Sequence, residues 1–144
     1  MGSVSENKDT KGTKPDISME KKIISTSDAP AAIGPYSQAV LVGNTLYCSG
    51  QIAINPKTGD LDTSNIISET TRVMKNIGAV LEAAEMDYTN IVKATIFMAD
   101  MGDYSAINAV YGSYFQEDSP AREAVAVKTL PKDVNVEISV IAVK

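Results

Sequence analysis

Between Ile66 and Ala84, apolar and small residues recur every three or four positions: Ile66, Thr70, Val73, Met74, Ile77, Val80, Leu81 and Ala84. That spacing puts them on one face of a helix, expected from about Ser64 to Ala84 with Thr63 or Ser64 as its cap. A second helical pattern runs from about Asp103 to Phe115, with Tyr104, Ile107, Tyr111 and Tyr114 roughly on one side. The remaining apolar stretches read as strands. Ile91 to Met98 is a β-branched run suited to a buried strand. Ala39 to Val42 and Leu46 to Ser49 are joined at Gly43-Asn44, a two-residue turn in which both residues tolerate positive φ. Ile23 to Ser25 is a short first strand. Gln51 to Ile54 continues the third beyond Gly50, where a glycine marks a bulge or a close backbone approach. Ala121 to Thr129 and Val134 to Val143 follow, with Leu130-Pro-Lys-Asp133 as the turn between them.

The order is roughly βββ-α-β-α-ββ, an α+β arrangement with two helices on one face of a mixed sheet. In the last strand Val134, Val136, Ile138 and Val140 point one way. Asn135, Glu137, Ser139, Ile141 and Val143 point the other. The second set is neither water-facing nor dry, as on a subunit interface with an embedded site. A four-residue turn at Leu130 to Asp133 would set Ala126 opposite Glu137 and Arg122 opposite Ile141. Arg122 and Glu137 would then share a face, roughly 13 Å apart along the strand. That is far for one small substrate, so either the register differs or the site combines groups from two subunits.

Residues 1–18 break the pattern. Met1, Val4 and Ile17 are their only apolar residues, which is too little to offset the entropy of ordering. They read as a disordered leader or an added tail, without the features of a secretory or transit peptide. Residues 19–144 then form one domain. No apolar run approaches the roughly 18 residues of a membrane span. The net charge of -5, with scattered lysines, disfavours nucleic acid as a partner. There is no histidine, which removes histidine triads, bases and metal ligands together. The single Cys48 rules out an intrachain disulfide and suits a reducing, cytoplasmic setting.

Chemistry must come from the other side chains. Arg122 follows Pro120-Ala on a strand, and its forked donors fit a carboxylate, although a structural salt bridge is the simpler reading from spacing alone. Arg72, the other arginine, reads as a solvated mid-helix charge. Glu137 has two readings, an acid–base carboxylate in a partly dry site or an edge-strand charge that blocks aggregation. Tyr36 offers a phenol, and Gly50 lets a ligand approach backbone, but each alone is ordinary loop chemistry. Cys48 reads as a buried strand residue.

Together, Asp28-Ala-Pro-Ala-Ala-Ile-Gly-Pro-Tyr36-Ser-Gln, Ser49-Gly-Gln-Ile, Asn55-Pro-Lys-Thr-Gly, Asn108-Ala-Val-Tyr111, Pro120-Ala-Arg122 and Leu130-Pro-Lys-Asp-Val through Val136-Glu137-Ile138 resemble the Rid/YjgF family of reactive intermediate deaminases. The motifs stand in order and at family spacing from about Glu20 to Lys144. The resemblance implies a chorismate-mutase-like two-layer fold and a homotrimer with sites in the clefts between subunits. It implies hydrolysis of short 2-imino acids or their enamines, 2-iminobutanoate and 2-iminopropanoate, to 2-keto acids and ammonia. No cofactor or metal is implied, because the imine carbon is already electrophilic. Carried over by position, Arg122 binds the substrate carboxylate, and Glu137 holds or activates water. Tyr36 positions the substrate, Ser49 and Gly50 line the cleft, and Asn108 supports it. Two alternatives stand beside this one: a non-catalytic sensor of keto or amino acids on the same fold, and an endoribonuclease or translation inhibitor. The second is disfavoured by charge and by the missing histidine. Several positions depart from the family pattern. Ser119 replaces an aromatic residue, Glu123 and Ala124 stand where a small residue and cysteine are common, and Glu85 stands where a helix-ending glycine is common.

Overall fold

Three antiparallel strands open the fold: β1 (Lys21–Ile24), β2 (Ala39–Val42) and β3 (Thr45–Cys48). A long helix α1 (Ile66–Ala83), β4 (Ile91–Met98), a short helix α2 (Tyr104–Gly112), β5 (Ala121–Ala126) and β6 (Val136–Val143) follow. A computed structural model describes residues 19–144, and the leader expected over residues 1–18 lies outside the described residues. The six strands form one sheet in the order β1-β2-β3-β6-β4-β5. Only β4 and β5 run parallel. Gln51 to Ile54 does not extend β3, because it makes only single bridges, Gln51 to Ile138 and Ile54 to Leu61. Among the described residues no helix is long and apolar enough to cross a membrane.

The two layers follow from the periodicities. Val73, Met74, Ile77, Val80 and Leu81 of α1 are fully buried. They meet Val136, Ile138, Val140 and Ala142, the inward set of β6. Strand β6 therefore alternates as the sequence predicts, with its other face uncovered.

The start of α1 is capped by Asn65 rather than Thr63 or Ser64: its side chain accepts from the Ser68 amide at 2.8 Å. Asn65 is the residue in extended backbone just before Ile66, so its oxygen reaches the third helical amide. Near that end, buried Glu69 accepts from the Asn135 amide and from Asn135 Nδ2, each at 2.7 Å, and from the Val136 amide at 3.3 Å. This carboxylate fixes where β6 begins. Arg72, expected in solvent, is half-buried, and its Nε is shielded from water.

At the other end, the Met86 amide donates to the Leu81 carbonyl and the Glu85 amide to the Glu82 carbonyl. This double closure puts Glu85 at φ 61, in the left-handed region that glycine tolerates best. Glu85→Gly is therefore expected to stabilise the protein by about 1 kcal/mol, since the exposed ion pair to Lys144 at 3.8 Å contributes little. A higher urea midpoint with an unchanged m-value checks it.

The pairing of the last strands differs from the expectation. β5 and β6 are not neighbours, because β4 lies between them. Strand β4 buries alternate residues and takes an interior place between β6 and β5, while mostly exposed β5 is left at the edge. The chain from β5 to β6 passes around the end of β4: the Val127 amide donates to the Met98 carbonyl, and the Ala99 amide to Asn135. The turn at Pro131–Asp133, with positive φ at Lys132 and Asp133, is a crossing and not a hairpin. In this register Arg122 lies beside Ala94, and Ala94 beside Val140. Glu137 lies beside Phe97, and Phe97 beside Val125. Val125 and Arg122 are three positions apart, so Arg122 and Glu137 occupy opposite faces of the sheet. The shared face expected from a β5–β6 hairpin is thereby corrected.

Candidate active site

On the uncovered face, where β3 ends, the chain turns through Ser49-Gly50-Gln51 against β6. The Gln51 amide donates to the Ile138 carbonyl at 2.8 Å, and the Ile138 amide returns a bond to Gln51 at 3.1 Å. This lays Gly50 directly over the Glu137 side chain. A Cβ at position 50 would overlap the carboxylate and stand 2.8 Å from Cδ. Gly50 is thus required by close approach to a functional group.

Beside it opens a cavity of about 740 Å³, lined by Tyr36, Ser49, Gly50, Ile52, Lys132 and Glu137 among others. Its walls are mainly apolar. Burial pushes the Glu137 carboxyl above the usual glutamate range. A carboxylate so placed is poised to exchange a proton with a small molecule in the cavity. The Tyr36 ring is half exposed at the rim, and its amide donates to Gly34.

Gly50→Ala is expected to leave the fold intact, because the methyl displaces only the end of a flexible side chain. It should still remove most activity by moving the Glu137 carboxylate. Circular dichroism unchanged beside a large fall in kcat is the expected pair of results.

The cavity walls are pinned by two side chains that sequence reasoning left without a role. Buried Gln38 accepts from the Thr26 amide at 2.7 Å and donates to the carbonyls of Thr26 and Pro30. This holds the loop before Tyr36 in place. Buried Asn76 donates to the carbonyls of Ile52 and Ile54, fixing the opposite wall. Neither belongs to an apolar periodicity, so pattern reading has no means of selecting them. Ser49 is placed similarly: its hydroxyl donates to the Ser37 carbonyl at 2.6 Å.

The second group of site residues lies on the helix face of the edge strand. Arg122 Nη1 donates to Asn108 Oδ1, and Nη2 donates to the Tyr104 hydroxyl at 2.7 Å. The guanidinium carbon lies 5.6 Å from the Tyr104 ring centre and 5.4 Å from that of Tyr111. The structural salt bridge open from spacing is not what holds Arg122: its hydrogen-bond partners are an amide and a phenol. Glu123 points to the other face, where it pairs with Lys93 at 3.5 Å, and leaves the Arg122 charge alone. Tyr104 was legible only as one aromatic among several on a helix face.

Of the expected site residues, Tyr36, Ser49, Gly50 and Glu137 therefore meet at one cavity. Arg122 and Asn108 meet each other elsewhere. Cys48 is buried, and burial pushes its thiol up to about 12, as befits a strand residue without chemistry.

The family model described as "Endoribonuclease L-PSP" matches residues 26–144. A goat (Capra hircus) protein named 2-iminobutanoate/2-iminopropanoate deaminase is 52% identical over 127 residues, covering 88% of this chain and 93% of its own. The human protein of the same name is 45% identical over the same coverage. Among solved structures, a conserved Rid family protein from Yersinia pestis, YyfA, superposes with a TM-score of 0.85 at 48% identity, covering 87% of this chain and all of its own. TdcF of E. coli with bound serine superposes with a TM-score of 0.82 at 40% identity, covering 85% and 98%.

Proposed function

This chain belongs to the Rid/YjgF family, and we propose that it is a 2-iminobutanoate/2-iminopropanoate deaminase, with Arg122 holding the substrate carboxylate and Glu137 activating water. The observation that carries the assignment of roles is the Glu137 carboxylate, raised in pKa by burial, facing an apolar cavity across a glycine that only its side chain explains.

The chemistry needs no more than these parts. A protonated 2-imino acid has an electrophilic C2. Glu137 takes a proton from water as the water oxygen bonds to C2, giving a tetrahedral carbinolamine. Glu137 passes that proton to the amine. As the carbinolamine hydroxyl gives its own proton back to Glu137, the C=O bond forms, the C–N bond breaks, ammonia leaves, and the 2-keto acid remains. Ammonia or water then takes the proton from Glu137. Positioning and one acid–base group supply the catalysis. Tyr36 and Ser49 shape the cleft. The endoribonuclease description of the family is not carried over, because the acidic chain has no histidine for acid–base cleavage of RNA.

The two halves are joined between subunits of a homotrimer. Two features support this reading: Arg122 and Glu137 lie on opposite faces, and the uncovered sheet face exposes Tyr47 and Val125. A heterologous contact closing into a ring lays one copy's cavity against the next copy's edge strand. Arg122 and Asn108 of one subunit then complete the cleft of its neighbour. A cytoplasmic setting fits the lone, buried Cys48.

The test generates 2-iminobutanoate in situ with a dehydratase and lets semicarbazide compete for it. Suppression of semicarbazone formation by the wild-type protein is the expected result. Unchanged semicarbazone formation removes the catalytic reading for that imine.

A further inference from the structure

The Arg122 guanidinium has three neighbours on α2, and only Asn108 belongs to the roles already assigned. Tyr104 stands one helical turn before Asn108, and its hydroxyl accepts from Nη2 at 2.7 Å while Asn108 accepts from Nη1. The two η nitrogens are therefore held separately, from two successive turns of one helix. The guanidinium carbon also lies within cation–π reach of the rings of Tyr104 and Tyr111. An arginine on an exposed edge strand would otherwise sample several rotamers, at an entropic cost when it binds a carboxylate.

We infer that Tyr104 is a positioning residue. Its hydroxyl fixes the rotation of the Arg122 guanidinium and so presets the donors that remain for a substrate carboxylate. Each η nitrogen carries two hydrogens and commits one to α2. One on each, together with the Nε–H, remains to make the forked contact. Tyr104 acts through Arg122 and is not itself a catalytic residue.

The inference rests on Arg122 binding a carboxylate, and its test does not require turnover. Binding of 2-oxobutanoate is measured by calorimetry for wild type, Tyr104→Phe, Arg122→Ala and the double variant, with melting temperatures recorded. Phenylalanine keeps the ring and its packing and removes only the hydroxyl. Tyr104→Phe is expected to bind about tenfold more weakly, the size of one hydrogen bond to a charged group, at unchanged melting temperature. In the Arg122→Ala background it should add nothing. In turnover the same variant should raise KM by a similar factor and leave kcat nearly unchanged.

Wild-type affinity in Tyr104→Phe overturns the inference. So does weakening that persists in the Arg122→Ala background, or weakening that follows a fall in melting temperature. If wild type binds 2-oxobutanoate and Tyr104→Phe binds it about tenfold more weakly, but wild type turns over no imine, the deaminase reading fails while the role of Tyr104 stands. If wild type does not bind it, the carboxylate role of Arg122 and that of Tyr104 fall together.

Discussion

Glu137→Gln is expected to lower kcat by about 10²–10⁴-fold, the usual weight of a positioned acid–base group. Glutamine keeps the shape of the side chain and can still hold a water by hydrogen bonding, but it cannot take the water's proton. Substrate affinity should change little, so the loss falls on kcat rather than KM. Stability moves the other way. The folded-state pKa of Glu137 is raised by burial. The native chain therefore binds this proton more tightly than the unfolded chain, and the group's contribution to stability falls as pH rises through the interval between the two pKa values. Above that interval the buried charge is a net cost, which glutamine removes. Glu137→Gln should be at least as resistant to urea at neutral pH as wild type. The wild-type kcat/KM profile should show an acid limb displaced above the ordinary glutamate range, and this limb should vanish in the variant. An acid limb retained by Glu137→Gln assigns the base elsewhere.

Arg122→Ala is expected to reduce kcat/KM by about 10²–10³-fold, as truncating one partner of a hydrogen-bonded charge pair costs several kcal/mol. The loss should appear mainly as a higher KM. Lysine at the same position keeps the charge but loses the fork, and should recover only part of the activity. Glu123, the substitution in this sequence that could have neutralised Arg122, is engaged with Lys93 on the other face. Glu123→Ala should therefore leave KM close to wild type.

Much of the fold was legible because its elements carry strong periods. The helix over Ile66–Ala83, the strand over Ile91–Met98 and the alternation in β6 follow directly from spacing three-and-four and spacing two. The β2–β3 pairing was legible from the Gly43-Asn44 turn, but the partners of the later strands were not. Periodicity states which residues share a face of one strand, but not which strand lies beside it. A short link after β5 suggested a hairpin, whereas β4 stands between β5 and β6. That single difference moved Arg122 to the face opposite Glu137. The site was legible as motifs, and its supporting polar groups were not. Gln38 and Asn76 act through carbonyls of loops whose course only the folded chain defines.

The decisive measurement is complementation between two inactive variants. Arg122→Ala and Glu137→Gln proteins are each assayed for imine hydrolysis, then unfolded together in equal amounts, refolded, and assayed again with subunit mixing checked by native mass spectrometry. If each site takes Arg122 from one subunit and Glu137 from its neighbour in a closed ring, random mixing leaves about a quarter of the sites intact, and activity returns to about that fraction of wild type. Mixed oligomers that stay as inactive as either parent contradict the shared site.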